Sequence, residues 1–512
     1  FSRADLETHA GGRISDIFGP QFSGQDGYAR QVRMPRPPLL LADRVTALEG
    51  VPGGMGKGRV LTETDVRNHA WALHQGRLPA GVMIEAGQAD LLLISWLGVD
   101  ALNRGERVYR LLGCELTYHG DLPQRDDRLD FDIRLTGHAA QADVRLMFFH
   151  YDCMNGERAQ LSVRHGQAGF FTDAELAASS GCLWGPEQQQ IVSPARLDAP
   201  EQRCQFSSLN HQQLLAFANG DAASCFGPGF ELARTHTRSP SIQAGKLLLL
   251  DRVSHLEVAG GPWQRGYLRA ELDIHSDQWF FDGHFKNDPC MPGTLMFEGC
   301  LQAMAISLAS CGYTLKRDGW RFQPVPELPY ALQCRGQVTP SSRLLVTEVF
   351  VEERISGPNP TVYADLLCTV DGKKAFHARR VALQLVPDWP LEGDLTQLDL
   401  HGFDLSDDPH APVVDGFTFG PHSLLACALG RPSQAFGPMY RRFDGPQRVA
   451  RLPSPPYHFI SRIESVDGPL GVMRAGARVV ALYDIPVSAR YFEGSEHPRM
   501  PFAVLLEAVL QP

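Results

Sequence analysis

The sequence lacks several features that would assign the protein to a class at once. No apolar run reaches the roughly 18 residues that a membrane-spanning helix needs. The 11 cysteines include no CxxC pair and no cysteine–histidine spacing typical of zinc sites, which predicts reduced thiols in a cytoplasmic protein. Positive charge is not in excess, and the net charge of −10 argues against nucleic-acid binding as the main function.

The N-terminus has neither an initiator methionine nor the pattern of a signal peptide. We therefore expect the chain to be a piece of a longer protein. It has 512 residues, of which 43% are hydrophobic, as in ordinary globular proteins. This length predicts two to four domains.

Three short words recur in the same order along the chain, which indicates an internal repeat. The first is Phe-Gly-Pro, at residues 18–20, 226–228 and 436–438. The second is Asp-Arg-Val or Ser-Arg-Ile, at residues 43–45, 251–253 and 461–463. The third is a proline followed six residues later by a glutamate, at residues 79–85, 292–298 and 501–507. The repeats predict three divisions, at residues 1–195, 196–390 and 391–512, of which the last is incomplete.

In each repeat, an apolar helix is predicted after the proline of the third word. In the second repeat it runs from Pro292 to about Gly312 and is apolar nearly all round, which is typical of a buried helix, and the first repeat copies it over Val82–Gly98. Strand-like segments follow, at 330–338, 343–351, 361–369 and 375–385 in the second repeat and at 108–118, 128–135 and 144–153 in the first. This order predicts an α+β fold in which an antiparallel sheet wraps round a long helix, the hotdog arrangement. The first two repeats are then expected to form a double hotdog with one continuous sheet.

Residues 279–298 carry the most specific motif. His284 stands on a loop rich in glycine and proline, Gly293 opens the apolar helix, and Glu298 lies inside it. A base, a helix N-terminus with unpaired N–H groups and an acid are the parts needed to move a proton beside a carbonyl group. A histidine in a turn would by itself favour a structural role, and the surrounding motif is what favours catalysis.

The segment resembles the active-site segment of a known family. The matching words are Trp279-Phe-Phe, Gly283-His284-Phe285, Asp288-Pro289, Met291-Pro292-Gly293, Glu298 and Gln302. They resemble the hotdog β-hydroxyacyl-acyl-carrier-protein dehydratases, including the β-hydroxydecanoyl dehydratase/isomerase of bacterial unsaturated fatty acid synthesis. The tandem arrangement over most of residues 30–390 resembles the dehydratase region of polyunsaturated fatty acid synthases. The isomerising enzymes carry aspartate where Glu298 stands, so the resemblance leaves isomerisation open.

The resemblance implies a role for each residue of the motif. His284 would be the general base that removes the α-proton of a 3-hydroxyacyl thioester, and the backbone N–H of Gly293 would stabilise the thioester oxygen. In the dimeric relatives the acid comes from the neighbouring hotdog, which implies Glu85 as the acid, with Glu298 as the second choice. The first and third repeats keep the glutamate without a His-Phe word, which agrees with halves that supply only the acid. A structural role for Glu85 is the alternative.

Four further residues of the motif are candidates for substrate binding. Trp279, Phe285 and Pro292 could contact the acyl group, although core packing is the alternative for such apolar side chains. Gln302 stands one helical turn after Glu298 and could orient a carboxylate. His74 of the first repeat is interpreted as an ordinary loop histidine.

The resemblance implies dehydration of 3-hydroxyacyl groups to trans-2-enoyl groups within a multidomain fatty acid or polyketide-type synthase. No cofactor is expected, because the substrate would arrive on the phosphopantetheine of an acyl carrier protein. The expected partners are acyl carrier protein domains, other synthase domains and a second hotdog in a homodimer or in a pseudo-dimer between repeats. Two alternatives stay open, a non-catalytic acyl-binding or assembly scaffold and a hotdog thioesterase.

Overall fold

The structure, a computed structural model, divides into two compact units. It describes residues 1–141, 144–188, 195–236, 238–388, 408–444, 449–472, 475–487, 489–492 and 499–512. The first unit consists of residues 1–234, 241–313 and 322–386, and the second of residues 235–240, 314–321 and 387–512. No described helix combines the length and the apolar character that crossing a membrane requires.

The helices of the first unit are mostly short. They are α1 (Arg3–Gly11), α2 (Ser15–Phe18), α3 (Ala80–Glu85), α4 (Asp90–Trp96), α5 (Val99–Asn103), α6 (Asp173–Ala177), α7 (His211–Ala218), α8 (Ala222–Phe226) and α9 (Gly293–Ala309). The longest, α9, buries 15 of its 17 residues and packs against the sheet of the same repeat. It ends three residues before Gly312, whose φ of +80° is one that glycine adopts without strain.

A single antiparallel sheet organises the first unit. Its strands are β1 (Arg44–Glu49), β2 (Gly58–Asp65), β3 (Val108–Tyr118), β4 (Arg128–Gln141), β5 (Val144–Asn155), β6 (Arg158–Phe171), β7 (Arg252–Glu257), β8 (Tyr267–Asp273), β9 (Trp320–Pro324), β10 (Pro329–Cys334), β11 (Leu344–Ile355), β12 (Thr361–Val370) and β13 (Lys373–Pro387). The order is β1-β2-β4-β5-β6-β3-β10-β13-β12-β11-β8-β7, and β9 pairs with β13 beside this path. The strands predicted in both repeats are present, whereas the sequence pattern did not predict β1, β2, β6, β7, β8 and β9.

The two repeats meet at one strand pair in the middle of this sheet. Strand β3 of the first repeat pairs with β10 of the second, from Thr117 opposite Pro329 to Gly113 opposite Gln333. Each side continues in the same order, because β6, β5 and β4 follow β3 just as β13, β12 and β11 follow β10. The continuous sheet expected of two hotdog units side by side is therefore present.

The helix of the first repeat differs from the expectation of one helix over Val82–Gly98. It is divided into α3 and α4, and between them the N–H groups of Gly87 and Gln88 bond to carbonyls three residues earlier. Tyr151 of β5 packs against this turn, since a Cβ on Gly87 would lie 2.9 Å from the Tyr151 ring. Such a tightened turn redirects the side chains that follow it. Packing from a distant strand, which the local sequence does not encode, explains the difference.

The second unit contains less regular structure. Its strands are β14 (Val413–Val414), β15 (Phe417–Thr418), β16 (Arg462–Asp467) and β17 (Arg478–Leu482), and its helices are α10 (Pro421–Ala428), α11 (Pro432–Phe436) and α12 (Phe502–Leu510). A small core forms round Phe419, Leu424, Ile460 and Ile463. Helix α10 stands before the third Phe-Gly-Pro motif just as α7 stands before the second.

Candidate active site

His284 is held inside the protein by its own loop. Its side chain is 7% exposed, and Nδ1 lies 2.9 Å from the carbonyl oxygen of Cys290. The N–H of Cys290 donates in return to the carbonyl of His284, at 2.7 Å. With its proton on Nδ1 and bonded to Cys290, the ring presents an unprotonated Nε2 as a proton acceptor.

The carboxyl group that faces His284 belongs to the other repeat. Oε1 of Glu85, at the end of α3, lies 3.9 Å from Nε2 of His284, and the Glu85 side chain is fully buried. This distance between the two atoms is too long for a direct hydrogen bond. The crossed pairing expected from the sequence is therefore the one that the geometry brings together.

The two oxygens of Glu85 differ in their surroundings. Oε2 accepts a hydrogen bond from the hydroxyl of Thr294, which lies on α9. It also accepts one from the amide of Gln88, at 2.5 Å. Oε1 accepts no hydrogen bond from any side chain or backbone group in the described part of the chain. The tightened turn after α3 is what brings Gln88 back over Glu85.

Burial sets the protonation of both groups. Desolvation lowers the pKa of His284 to about 3, and the nearby positive charge of Arg110 acts in the same direction. Desolvation raises the pKa of Glu85 to about 8, aided by the carboxyl of Asp90 and opposed by the bonds from Thr294 and Gln88. At neutral pH the pair is therefore a neutral imidazole beside a protonated carboxyl, which are the forms that a general base and a general acid require.

A cavity of about 110 Å³ adjoins His284, and Ile84, Gly87 and Gln88 beside Glu85 line it, although Glu85 itself does not. Its lining includes His284, Phe285, Gly293 and Thr294, so the first turn of α9 with its unpaired N–H groups borders the same space as the histidine. The polar pair of Tyr109 and Asp90 also lines it, with the hydroxyl donating to Oδ2 at 2.9 Å.

The cavity adjoins a wider one of about 750 Å³, and Arg110 and Gln337 line both. Arg110 binds the carboxylate of Asp288 through two bonds of 2.6 and 2.7 Å and donates to Gln337 at 2.7 Å. A strand of the first repeat thereby fixes the histidine loop of the second.

Glu298 lies in a different environment. Its Oε2 accepts the backbone N–H of Gly81 and its Oε1 accepts the amide of Gln243, both at 2.7 Å. Burial raises its pKa to about 7. A cavity of only about 30 Å³ adjoins it, and His74 is among the residues that line this space.

Two of the residues predicted to bind substrate lie away from His284. Gln302 donates to Gln243 at 2.9 Å and to the carbonyl of Leu247, so it reaches Glu298 only through Gln243. Trp279 donates its indole N–H to the carbonyl of Lys246. Phe285 lines the cavity, and Pro292 is the N-cap residue of α9. In the third repeat Glu507 is described, whereas the position matching His284 falls within residues 493–498, outside the described residues.

Thr294, Gln88 and Gln243 are not among the site residues predicted from the sequence. Thr294 stands between the predicted Gly293 and Glu298, yet its role depends on a contact with a residue 209 positions away. Gln88 follows Glu85 by three positions, a spacing at which helical side chains meet. That spacing was the one available signal for it.

Comparison with known proteins supports the assignment of the second repeat. Residues 242–379 match the family described as FabA-like domain, and the match contains the whole motif. It confirms the resemblance to hotdog dehydratases.

The chain is also 33% identical over 364 residues to one of the subunits of a polyunsaturated fatty acid synthase from a Thraustochytrium species. The alignment covers 69% of this chain and 24% of that relative. The chain thus spans about a quarter of the length of the curated relative it matches.

Two solved structures show weaker similarity. A bifunctional dehydratase-cyclase domain of ambruticin biosynthesis is 12% identical to this chain, with a TM-score of 0.35. The alignment covers 68% of this chain and 96% of that domain. The dehydratase domain from the CurJ module of the curacin polyketide synthase is 9% identical, with 68% and 97% covered and a TM-score of 0.35. Similarity at this level carries no argument about the site.

Proposed function

We propose that the first two repeats dehydrate 3-hydroxyacyl thioesters to trans-2-enoyl thioesters, as part of a multidomain fatty acid or polyketide-type synthase. The observation that carries the proposal is the crossed pair, in which Nε2 of His284 and Oε1 of Glu85 stand 3.9 Å apart and His284 lines a cavity. The resemblance of the site segment and of the tandem arrangement supports the substrate class and the carrier, an acyl carrier protein.

The reaction begins with the C2 proton of the substrate. Nε2 of His284 takes this proton, and the electron pair of the C2–H bond moves to form the C2–C3 double bond. Negative charge develops on the thioester oxygen, and the N–H of Gly293 at the start of α9 is placed to stabilise it. The Cys290 carbonyl holds the ring in the required tautomer and stabilises the imidazolium that forms.

The leaving group is the 3-hydroxyl. Its C3–O bond breaks while Glu85 donates the proton on its carboxyl, so that the hydroxyl departs as water. The site is left with an imidazolium and a carboxylate, and transfer of one proton from His284 to Glu85, with the product water as the bridge, restores the starting state. Atoms and charge balance without a redox partner.

The wider cavity is the proposed route for the phosphopantetheine arm. Arg30, Arg335 and Lys373 line it together with Asp173, Glu175 and Asp371, so its charge is mixed and its volume is what supports the route. Strand β10 of the second repeat and β3 of the first both contribute to its walls, so the route follows the junction between repeats.

The test is turnover of a 3-hydroxyacyl thioester of pantetheine by the whole chain and by His284→Ala. We expect the wild type to give a product lighter by one water and the variant to be slower by at least ~10³-fold. Mass spectrometry of the same reaction separates the alternatives, because a thioesterase releases the free acid and a scaffold leaves the substrate unchanged. Unchanged dehydration by His284→Ala contradicts the proposal.

A further inference from the structure

The carboxyl of Glu85 is held from one side only. Thr294 and Gln88 both donate to Oε2, whereas Oε1 is buried, has no hydrogen-bond partner among the described residues and points toward His284. A buried carboxyl oxygen without a partner costs stability, commonly by about 1–3 kcal/mol. Its retention opposite a histidine indicates that this oxygen is kept for another group.

The hydrogen bonds also determine where a proton on Glu85 resides. A carboxyl oxygen has two acceptor positions, and Oε2 uses both for the Thr294 hydroxyl and the Gln88 amide. The Gln88 N–H can only donate to Oε2, and while the Thr294 hydroxyl donates as well, Oε2 has no position for an acidic proton, so the protonated carboxyl carries its proton on Oε1. That oxygen is the one that lies 3.9 Å from Nε2 of His284.

The threonine can reach Glu85 because the helices of the two repeats cross closely at this point. Thr294 is the second residue of α9 and Gly81 is the second residue of α3, each two positions after its proline. A Cβ on Gly81 would lie 2.5 Å from the carbonyl oxygen of Thr294. The absence of a side chain at Gly81 therefore leaves room for Thr294 to reach across the crossing.

We propose that the Thr294 hydroxyl, on the helix of the second repeat, is the positioning group that fixes the acidic proton of Glu85 on Oε1, toward the substrate. The inference rests on the proposed dehydration and deepens it, because Thr294 acts through Glu85 and need not touch the reacting atoms. One helix thus supplies both the Gly293 N–H for the thioester oxygen and the hydroxyl that orients the acid of the other repeat.

The first test is kinetic and uses the whole chain with Thr294→Val, which removes the hydroxyl and keeps the shape. We expect kcat for dehydration to fall about tenfold with KM within about twofold, because only the step that needs the oriented proton is affected. The Thr294 bond lowers the pKa of Glu85. Its loss should therefore move the alkaline fall of kcat to higher pH. Thr294→Ser should restore both quantities.

Thr361→Val provides the matched control. Thr361 is also buried and donates to the carbonyl of Asn359 at 2.8 Å, away from the cavity. The same substitution there should lower stability without changing kcat or its pH dependence. A Thr294→Val enzyme with wild-type kcat and an unmoved alkaline limb overturns the proposal.

The second measurement does not need turnover. The carbonyl band of the protonated carboxyl, assigned by its loss in Glu85→Gln, can be followed by infrared spectroscopy across pH. We expect Thr294→Val to shift both the band and its titration midpoint, the latter to higher pH. Unchanged values overturn the role of Thr294 even if the chain proves inactive on 3-hydroxyacyl thioesters, whereas a shift without activity contradicts the proposed function alone.

Discussion

Glu85 and Glu298 occupy the same position in two copies of one motif, six residues after the proline that precedes each helix. Both are buried, and burial raises the pKa of both. They differ in how many of their oxygens are held. Fixed donors hold both oxygens of Glu298, whereas donors hold only Oε2 of Glu85.

This difference separates an acid from a structural carboxylate. Each carboxyl oxygen has two acceptor positions, so Glu298 keeps one position on each oxygen beside a fixed donor, whereas Glu85 keeps both positions of Oε1 on the side of His284. A group held on one oxygen keeps its orientation and presents the other oxygen to a substrate. Of the two glutamates in the repeated motif, Glu85 is therefore the one that we propose as the proton donor.

The largest expected effect comes from removing the acid proton. Glu85→Gln can keep the bonds from Thr294 and Gln88 on its amide oxygen and places an NH₂ group where Oε1 stood, so we expect a folded protein. An amide does not donate its proton to a leaving hydroxyl, and kcat should fall about 10³- to 10⁴-fold. Steady-state dehydration of a 3-hydroxyacyl pantetheine thioester measures it.

Glu298→Gln is the control for this comparison. Its amide nitrogen must face a donor, Gly81 or Gln243, so it should lose stability, but kcat per folded molecule should stay within about threefold of wild type. If Glu298→Gln abolishes turnover and Glu85→Gln spares it, the acid assignment has to be reversed.

The second effect uses the same Glu85→Gln variant and concerns stability. The folded-state pKa of Glu85, about 8, lies above its ordinary value of 4.5, so the folded wild type holds a proton that the unfolded chain releases between these values. Wild-type stability should therefore fall as the pH rises from about 4.5 through 8, and the glutamine variant lacks this loss.

Melting curves from about pH 4.5 to 9 measure the difference between the two proteins. The stability of Glu85→Gln relative to the wild type should rise across this window, by a few kcal/mol at its alkaline end. The variant would then be inactive and more stable. A constant difference across the window contradicts a buried, protonated Glu85.

The third effect is the pH dependence of wild-type kcat. His284, with a pKa of about 3, stays neutral throughout the usual range, so the alkaline limb should report the acid alone. Loss of the Glu85 proton should centre near pH 8 and reduce kcat about tenfold at pH 9. A kcat that does not fall as the pH rises from about 7 to 9 contradicts Glu85 as the acid.

Much of this arrangement could be predicted because periodic and repeated patterns in the sequence encode it. Strand-like segments and a helix apolar nearly all round predicted the sheet and α9, and the repeated proline-to-glutamate spacing placed Glu85 at the position equivalent to Glu298. The family resemblance then implied the crossed pairing of Glu85 with His284. The structure brings these two side chains together.

The remaining features depend on contacts between distant residues. The turn between α3 and α4 is set by packing of Tyr151 against Gly87, and the Thr294 bond joins residues 209 positions apart. Gln302 has the spacing expected of a carboxylate-orienting residue, yet it binds Leu247, Leu249 and Gln243. Spacing along a helix shows which side chains can meet, and it does not show which partner another segment will supply.

The smallest effect concerns Gln243, which donates a hydrogen bond to Oε1 of Glu298. Gln243→Leu removes the donor to Oε1 of Glu298 and the acceptor for Gln302, while Gln302 retains its bonds to Leu247 and Leu249. We expect a loss of about 1–2 kcal/mol in the free energy of unfolding, because one buried carboxyl oxygen loses its partner.

Gln88→Leu is the corresponding change at Glu85 and should act on kcat, since it removes a donor that orients the acid. Denaturant unfolding and turnover, measured on both variants, therefore separate the two glutamates by the kind of damage each substitution causes. A Gln243→Leu protein whose kcat per folded molecule falls as far as that of Gln88→Leu would mean that the Glu298 site takes part in dehydration. The assignment of dehydration to the pair of His284 and Glu85 alone would then be wrong.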